Sequence, residues 1–257
     1  MKIEEIETVL LDETSGLREK GGRAAGNFTV AMLAVANPEV SLNPLRLVGT
    51  GTLVIVRDVA YMLTAAHVWN AVRERGSMLG LTLSENKDHE FLIPNNNIVA
   101  SGPTYDPTSV DWGPDLVFLR IPPERLGTLK AYKNFYNLSI ERAGQQLDCI
   151  KTTAVIGTPG EMAEQWPRYA TLQVTAFFLE ATPKRITKGK FDYLEYTVNT
   201  SFPGVPTTFG GVSGGGLWEI FFYFSEKTQK IETIERLVGV AYVQTPVVEG
   251  RVPQVPV

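Results

Sequence analysis

The feature that most constrains this chain is its succession of short runs rich in Val, Thr and Leu without a regular alternation of strand and helix. FTVAMLAVA, RLVGTGTLVIV and VAYMLTAAHV follow one another from Asn27, divided by Asn, Pro and Arg-Asp turns. LGLTLSEN, HEFLIP and PDLVFLRIP continue the series. A second set comprises QLDCIKTTAVIG, RYATLQVTAFFLEA, FDYLEYTVNT, LWEIFFYF and ERLVGVAYVQT. Parallel βαβ winding needs a helix between successive strands, so this spacing predicts an all-β antiparallel barrel or sandwich. With 257 residues and 44% apolar content, the chain can bury a full core as one unit or as two packed lobes.

Residues 2–20 read as an amphipathic helix, with Ile3, Ile6, Val9 and Leu10 at helical spacing, ended by Gly21, Gly22 and Gly26. VWNAVRERG reads as one or two helical turns. Residues 124–144 are polar and helix-tolerant and are expected to divide two lobes. The expected organisation is therefore an N-terminal helical extension over 1–26, a first lobe over 27–123, a linker over 124–144 and a second lobe over 145–257. The ending GRVPQVPV carries two prolines and is expected to be extended.

Charge and cysteine usage exclude several classes. A net charge of −4 with mixed signs leaves no basic face for nucleic acid. Cys149 is the only cysteine, so no internal disulfide forms. The first residues are charged throughout, and no apolar run is long enough to cross a bilayer. The expectation is a cytoplasmic protein with no membrane partner. Without HExxH, a cysteine pair or a second histidine near His89, no metal site is expected.

The chemistry concentrates in FGGVSGGGLW, from Phe209 to Trp218. Gly210, Gly211, Gly214, Gly215 and Gly216 crowd around the hydroxyl of Ser213, with Gly204 just upstream. Glycine tolerates backbone angles that turn amides inward, so a serine here has a ready oxyanion site. A linker would have polar flanks, and a phosphate loop would end in GK[ST]. Phe209, Leu217 and Trp218 fit neither.

An activated serine needs a base, and the base needs an orienting acid. Of the two histidines, His67 ends the apolar run LTAAHVWN, whereas His89 lies in polar NKDHEF. For the acid, Asp115 opens DLVFLRI, and a carboxylate so close to a buried strand needs a partner. Asp106 and Asp111 are rivals in Pro/Gly-rich sequence. The chain order is His67, Asp115, Ser213. GVSGG also fits the GxSxG elbow of α/β-hydrolases, but those place histidine after serine, and no histidine follows Ser213.

At these residues the chain resembles the chymotrypsin-like (trypsin-like) serine peptidases. GTGTLV…YMLTAAHV is similar to the strand pair leading to the family's histidine, PDLVFLRIP to its aspartate motif, and GGVSGGGLW with RLVGVAYV to its serine loop and substrate-pairing strand. The resemblance implies two antiparallel β-barrels with the active site in the cleft between them. It implies a catalytic triad of His67, Asp115 and Ser213, and an oxyanion hole from the N–H groups of Gly211 and Ser213. Thr207 would lie at the floor of the substrate pocket and Tyr242, Val243 and Gln244 along its wall. No carboxylate occupies position 207, so a preference other than basic is expected. Val212 stands where many secreted members carry an aspartate that pairs with a newly cut N-terminus. Together with the absent disulfides, this resembles an intracellular, bacterial-type branch. The expectation is a serine endopeptidase without cofactor, acting on a protein or peptide substrate, with a specific intracellular protein partner and a regulatory partner among the candidates. The alternative is a catalytically silent peptidase-like module used for binding or scaffolding.

Overall fold

The computed structural model describes residues 3–12, 15–37, 39, 44–83, 91–102, 115–140, 148–165, 170–179, 183–188, 191–197, 205–242 and 254–256. Asp106, Asp111, His89, Gly204, Val243 and Gln244 lie outside them. The fold is mostly β, and its largest sheet curls into a half-barrel.

The N-terminal region differs from the sequence reading. It forms two helices, α1 (Ile3–Leu11) and α2 (Leu17–Gly26). Gly21 and Gly22 lie inside α2 and do not end it. The reason is packing. A Cβ at Gly21 would sit 2.8 Å from the Phe222 ring, and one at Gly22 would sit 2.8 Å from the Ala176 side chain. The helix lies so close to the sheet beneath it that bare backbone fits there. In α1, Ile6 and Leu10 are buried, each stabilising by about 1.5–3 kcal/mol relative to exposure.

Strands β1 (Thr29–Val35), β2 (Leu45–Val56), β3 (Val59–Thr64), β4 (Met78–Leu81), β5 (Phe91–Pro94), β6 (Val99–Ser101), β7 (Val117–Arg120) and β8 (Tyr136–Asn137) form one sheet. Its order is β5-β4-β1-β2-β3-β7-β6, with β8 added in parallel to β2. The β2–β3 hairpin turns on Arg57 and Asp58, both at positive φ (47° and 66°), as a tight hairpin of matching twist requires. Helix α3 (Ala66–Arg75) follows β3 and buries Ala66, Val68, Trp69 and Val72. Helix α4 (Pro123–Tyr132) begins with Pro at its first position, where the missing N–H costs nothing. It occupies the stretch read as a linker, and β8 follows it as a strand that the polar sequence NFYNLS did not announce.

The remaining strands are β9 (Cys149–Gly157), β10 (Glu164–Gln165), β11 (Ala170–Thr171), β12 (Thr175–Leu179), β13 (Lys184–Lys188), β14 (Phe191–Thr197), β15 (Gly216–Ser225), β16 (Lys230–Val240) and β17 (Gln254–Pro256). They pair as β12-β9-β15-β16, β13-β14-β17 and β10-β11. The extended tail is thus a strand over 254–256, hydrogen-bonded to β14. Among the described residues no strand pairing links these sheets to the first.

Side chains join them instead. Trp218 stacks on Phe28 at 5.2 Å and meets Tyr136 edge-on at 5.2 Å, and Phe28 meets Tyr136 edge-on at 5.7 Å. These three rings share a core with Ile6, Leu10, Ala25, Val54, Ile156 and Phe222, so the helical extension and both sets of strands contribute to one apolar centre. A second core lies under α3 and α4, and a third surrounds Phe209, Val212 and Leu217. Among the described residues, no helix is long and apolar enough to cross a membrane.

Candidate functional site

Strand register places the candidate residues. In the first sheet, Thr64 at the end of β3 lies opposite Val117 at the start of β7. The chain after Thr64 and the chain before Val117 therefore leave the sheet at the same end, bringing Asp115 to the start of α3. His67 is the second residue of that helix and not, as its apolar surroundings imply in sequence, the end of a strand. In the other sheet, Gly216 at the start of β15 lies opposite Ile156 of β9 and Val240 of β16. The loop before Gly216, the turn after Gly157 and the residues after Val240 thus leave the sheet at one end, which brings Ser213 to Tyr242 and Glu161 to the segment before the glycine loop.

Asp115 holds His67 at two points. One carboxylate oxygen pairs with the imidazole Nδ1 in a short contact, and the other accepts the His67 backbone N–H at 3.0 Å. The Asp115 carbonyl also accepts the Ala66 N–H at 3.3 Å. The first turn of a helix has N–H groups without internal partners. Here Asp115, two residues before β7, accepts two of them, the His67 N–H by its carboxylate and the Ala66 N–H by its carbonyl, fixing ring and helix start together. Asp115 is 7% exposed, while the His67 side chain is 44% exposed. The acid is sealed, and the outer edge of the imidazole stays within reach of a ligand.

The glycine loop docks on the same end of the first sheet. Ser213 O accepts the Thr50 N–H at 2.8 Å, and Gly214 O accepts the Thr52 hydroxyl at 3.3 Å. Thr50 Oγ1 donates to Gly211 O at 2.7 Å and accepts the Thr158 N–H at 3.0 Å. A Cβ built on Gly49 would lie 2.6 Å from the Val68 side chain and 2.9 Å from Ser213 O, so the residue after His67 and the serine flank one point of β2. Gly214 has φ +89°, and a Cβ there would overlap the Thr50 carbonyl and the Thr64 hydroxyl. Only glycine fits that approach.

The Ser213 hydroxyl donates to Tyr242 O at 3.4 Å and makes no hydrogen bond with the His67 ring among the described residues. At that length the bond is weak, and a serine hydroxyl turns about one torsion. Among the described residues, neither the Gly211 nor the Ser213 amide has a backbone acceptor. Gly210 O is drawn aside by the Gly160 N–H at 2.6 Å.

Of the pocket residues expected from sequence, Thr207 and Tyr242 fall among the described residues. The Tyr242 ring lies 5.8 Å from that of Tyr193 and packs against the core under α3. Its hydroxyl is buried without a partner among the described residues. Burial, with Tyr193 and the Asp115 charge adding to it, drives its phenol far above the ordinary value. Thr207 does not present a free hydroxyl. Its Oγ1 donates to Glu161 at 2.6 Å and its N–H to the same carboxylate at 2.8 Å, while the Thr208 N–H adds a third bond at 2.9 Å. Those bonds, Thr207's first, hold the Glu161 carboxyl below its usual value. A carboxylate therefore does reach position 207, from a turn 46 residues earlier in the chain. Sequence reading passed over Glu161. The available signal was GTPGEM, a Gly/Pro turn after an apolar strand.

Among the described residues no group of three or more His, Cys, Asp and Glu side chains is gathered as a metal ion needs. No family model matches the chain, and no curated protein matches it. A solved structure described as concerning the coupled folding and binding of the intrinsically disordered Sesbania mosaic virus VPg protein is similar over 88% of this chain and 84% of that one. It shares 18% identity, with a TM-score of 0.42. A likeness of that degree carries no argument about function.

Proposed function

We propose that the chain is a serine endopeptidase of the chymotrypsin-like kind, with its two sets of strands forming two barrels around the site. Ser213 attacks the substrate carbonyl after its hydroxyl turns from Tyr242 O to the imidazole. His67 takes the proton, and Asp115 fixes the ring by its Nδ1–H. The Gly211 and Ser213 amides receive the developing oxyanion. The proton then passes from His67 to the leaving amine, and water activated by the same ring releases the acyl group. The observation that carries this reading is the double hold of Asp115 on His67, with a glycine-lined serine docked against the same sheet end. A buried acid on one imidazole nitrogen, with the other face open, is the arrangement a general base needs. A fluorophosphonate probe tests it: labelling at Ser213 that is lost in His67→Ala is the expected result.

A second reading has an observation of its own. The Ser213 hydroxyl is bonded to Tyr242 O and not to the imidazole, as in a silent module used for binding. Catalytic hydrogen bonds in unliganded sites are often long or misaligned, which favours the enzyme. Folded wild-type protein that resists the probe would favour the module.

A further inference from the structure

Glu161 lies in the short 3-10 turn Gly160–Met162 that follows β9. Its carboxylate takes Thr207 N–H, Thr207 Oγ1–H and Thr208 N–H, all from the segment leading to Ser213. The preceding residue adds a fourth bond, from Gly160 N–H to Gly210 O. One turn therefore grips the approach to the glycine loop along 207–210.

That grip bears on a single peptide group. The Gly210–Gly211 bond is trans, so a carbonyl drawn toward Gly160 sets the Gly211 N–H to the opposite side. Gly211 has φ +93°, and a Cβ there would come within 2.5 Å of Thr158 O and 3.1 Å of Gly160 N. The turn and the loop are in contact with no room between them. A peptide flanked by two glycines has little intrinsic preference for either face, so its orientation depends on such external bonds. Glu161 is exposed, and fixing an exposed, rotamer-rich side chain on three donors from one short segment costs entropy that an ordinary surface carboxylate avoids.

We infer that Glu161 is a positioning residue: its carboxylate holds Thr207 and Thr208 against the turn, which keeps Gly210 O on the Gly160 N–H and so turns the Gly211 amide toward the oxyanion. Its effect on rate rests on the peptidase reading above. Its effect on the Gly211 peptide does not. Glu161→Gln keeps the volume but sets an amide N–H against the Thr207 N–H, and Glu161→Ala removes the acceptor altogether.

The test uses the full chain with a small ester substrate, thermal unfolding, and the Gly211 amide resonance followed by NMR. Both variants are expected to lower kcat about 10–100-fold, toward the loss seen when one oxyanion donor is removed. KM should change less than about twofold, the interaction being one made in the transition state. The melting midpoint should hold, and the Gly211 resonance should shift or broaden. An unchanged Gly211 resonance overturns the inference. So does a loss confined to KM, which would make Glu161 a substrate contact, or a loss that merely follows a fallen melting midpoint. Wild-type protein inert to both ester and fluorophosphonate, with Gly211 still responding to Glu161→Gln, would sink the peptidase reading and leave the clamp standing.

Discussion

Asp115 accepts two hydrogen bonds from one residue, the ring Nδ1–H and the backbone N–H of His67. A carboxylate shared in this way sets the ring's tautomer and its direction at once. Asp115→Asn replaces one acceptor oxygen by a donor amide, so either the ring must change tautomer or the helix start loses its partner. In triad enzymes this exchange lowers kcat by about 10⁴-fold. A comparable fall is expected here with a small ester substrate, with folding retained by circular dichroism. Activity of the Asp115→Asn protein within about tenfold of wild type would show that Asp115 only caps the helix.

Thr50 joins the two halves of the site. Its hydroxyl donates to Gly211 O and accepts from Thr158 N–H, and its backbone donates to Ser213 O. The residue is fully buried. Thr50→Val keeps the shape and strands two backbone groups, each costing about 1–3 kcal/mol when buried and unpaired. The expected loss is therefore roughly 2–6 kcal/mol in urea unfolding. Thr52→Val, which loses one bond of 3.3 Å, should cost distinctly less. Equal losses in the two variants would contradict this role.

Glu219 provides the pH dependence. Burial works to raise its pKa, but hydrogen bonds from Arg236 and Lys151, with their charges, together overcome burial and bring it below the usual carboxylate range. A carboxyl with a lowered folded-state pKa contributes stability that is complete above its unfolded value and is lost as pH falls through the folded one. Urea midpoints of wild type and Glu219→Gln should therefore differ at neutral pH and converge on acidification. A gap that stays constant from neutral to acid pH would show that the pair contributes nothing through its charge.

Much of this was legible in the sequence because burial and strand period write themselves into residue choice. The runs that became β2, β3, β7, β15 and β16 were all visible, as was the pairing of His67 with Asp115, since a carboxylate beside a buried strand needs a partner. What was not legible depended on contacts distant in sequence. Gly21 and Gly22 read as helix breakers because the ring of Phe222 and the methyl of Ala176, which require their smallness, lie far along the chain. His67 read as a strand end because LTAAHV is apolar without a clear period, while Ala66, Val68, Trp69 and Val72 bury a helical face only once the core is present. The charged KRITK of β13 carried no apolar alternation. Glu161 was passed over because its partners, Thr207 and Thr208, lie 46 and 47 residues further along the chain.

The proposed role of Ser213 is that of a nucleophile activated by His67. The most direct measurement is mass-spectrometric mapping of fluorophosphonate adducts on the folded full chain, with His67→Ala and Ser213→Ala in parallel. A single adduct on Ser213 is expected in the wild type, and none at that position in either variant. An unmodified wild-type chain, or an adduct at Ser213 that forms equally fast without the imidazole, would contradict it.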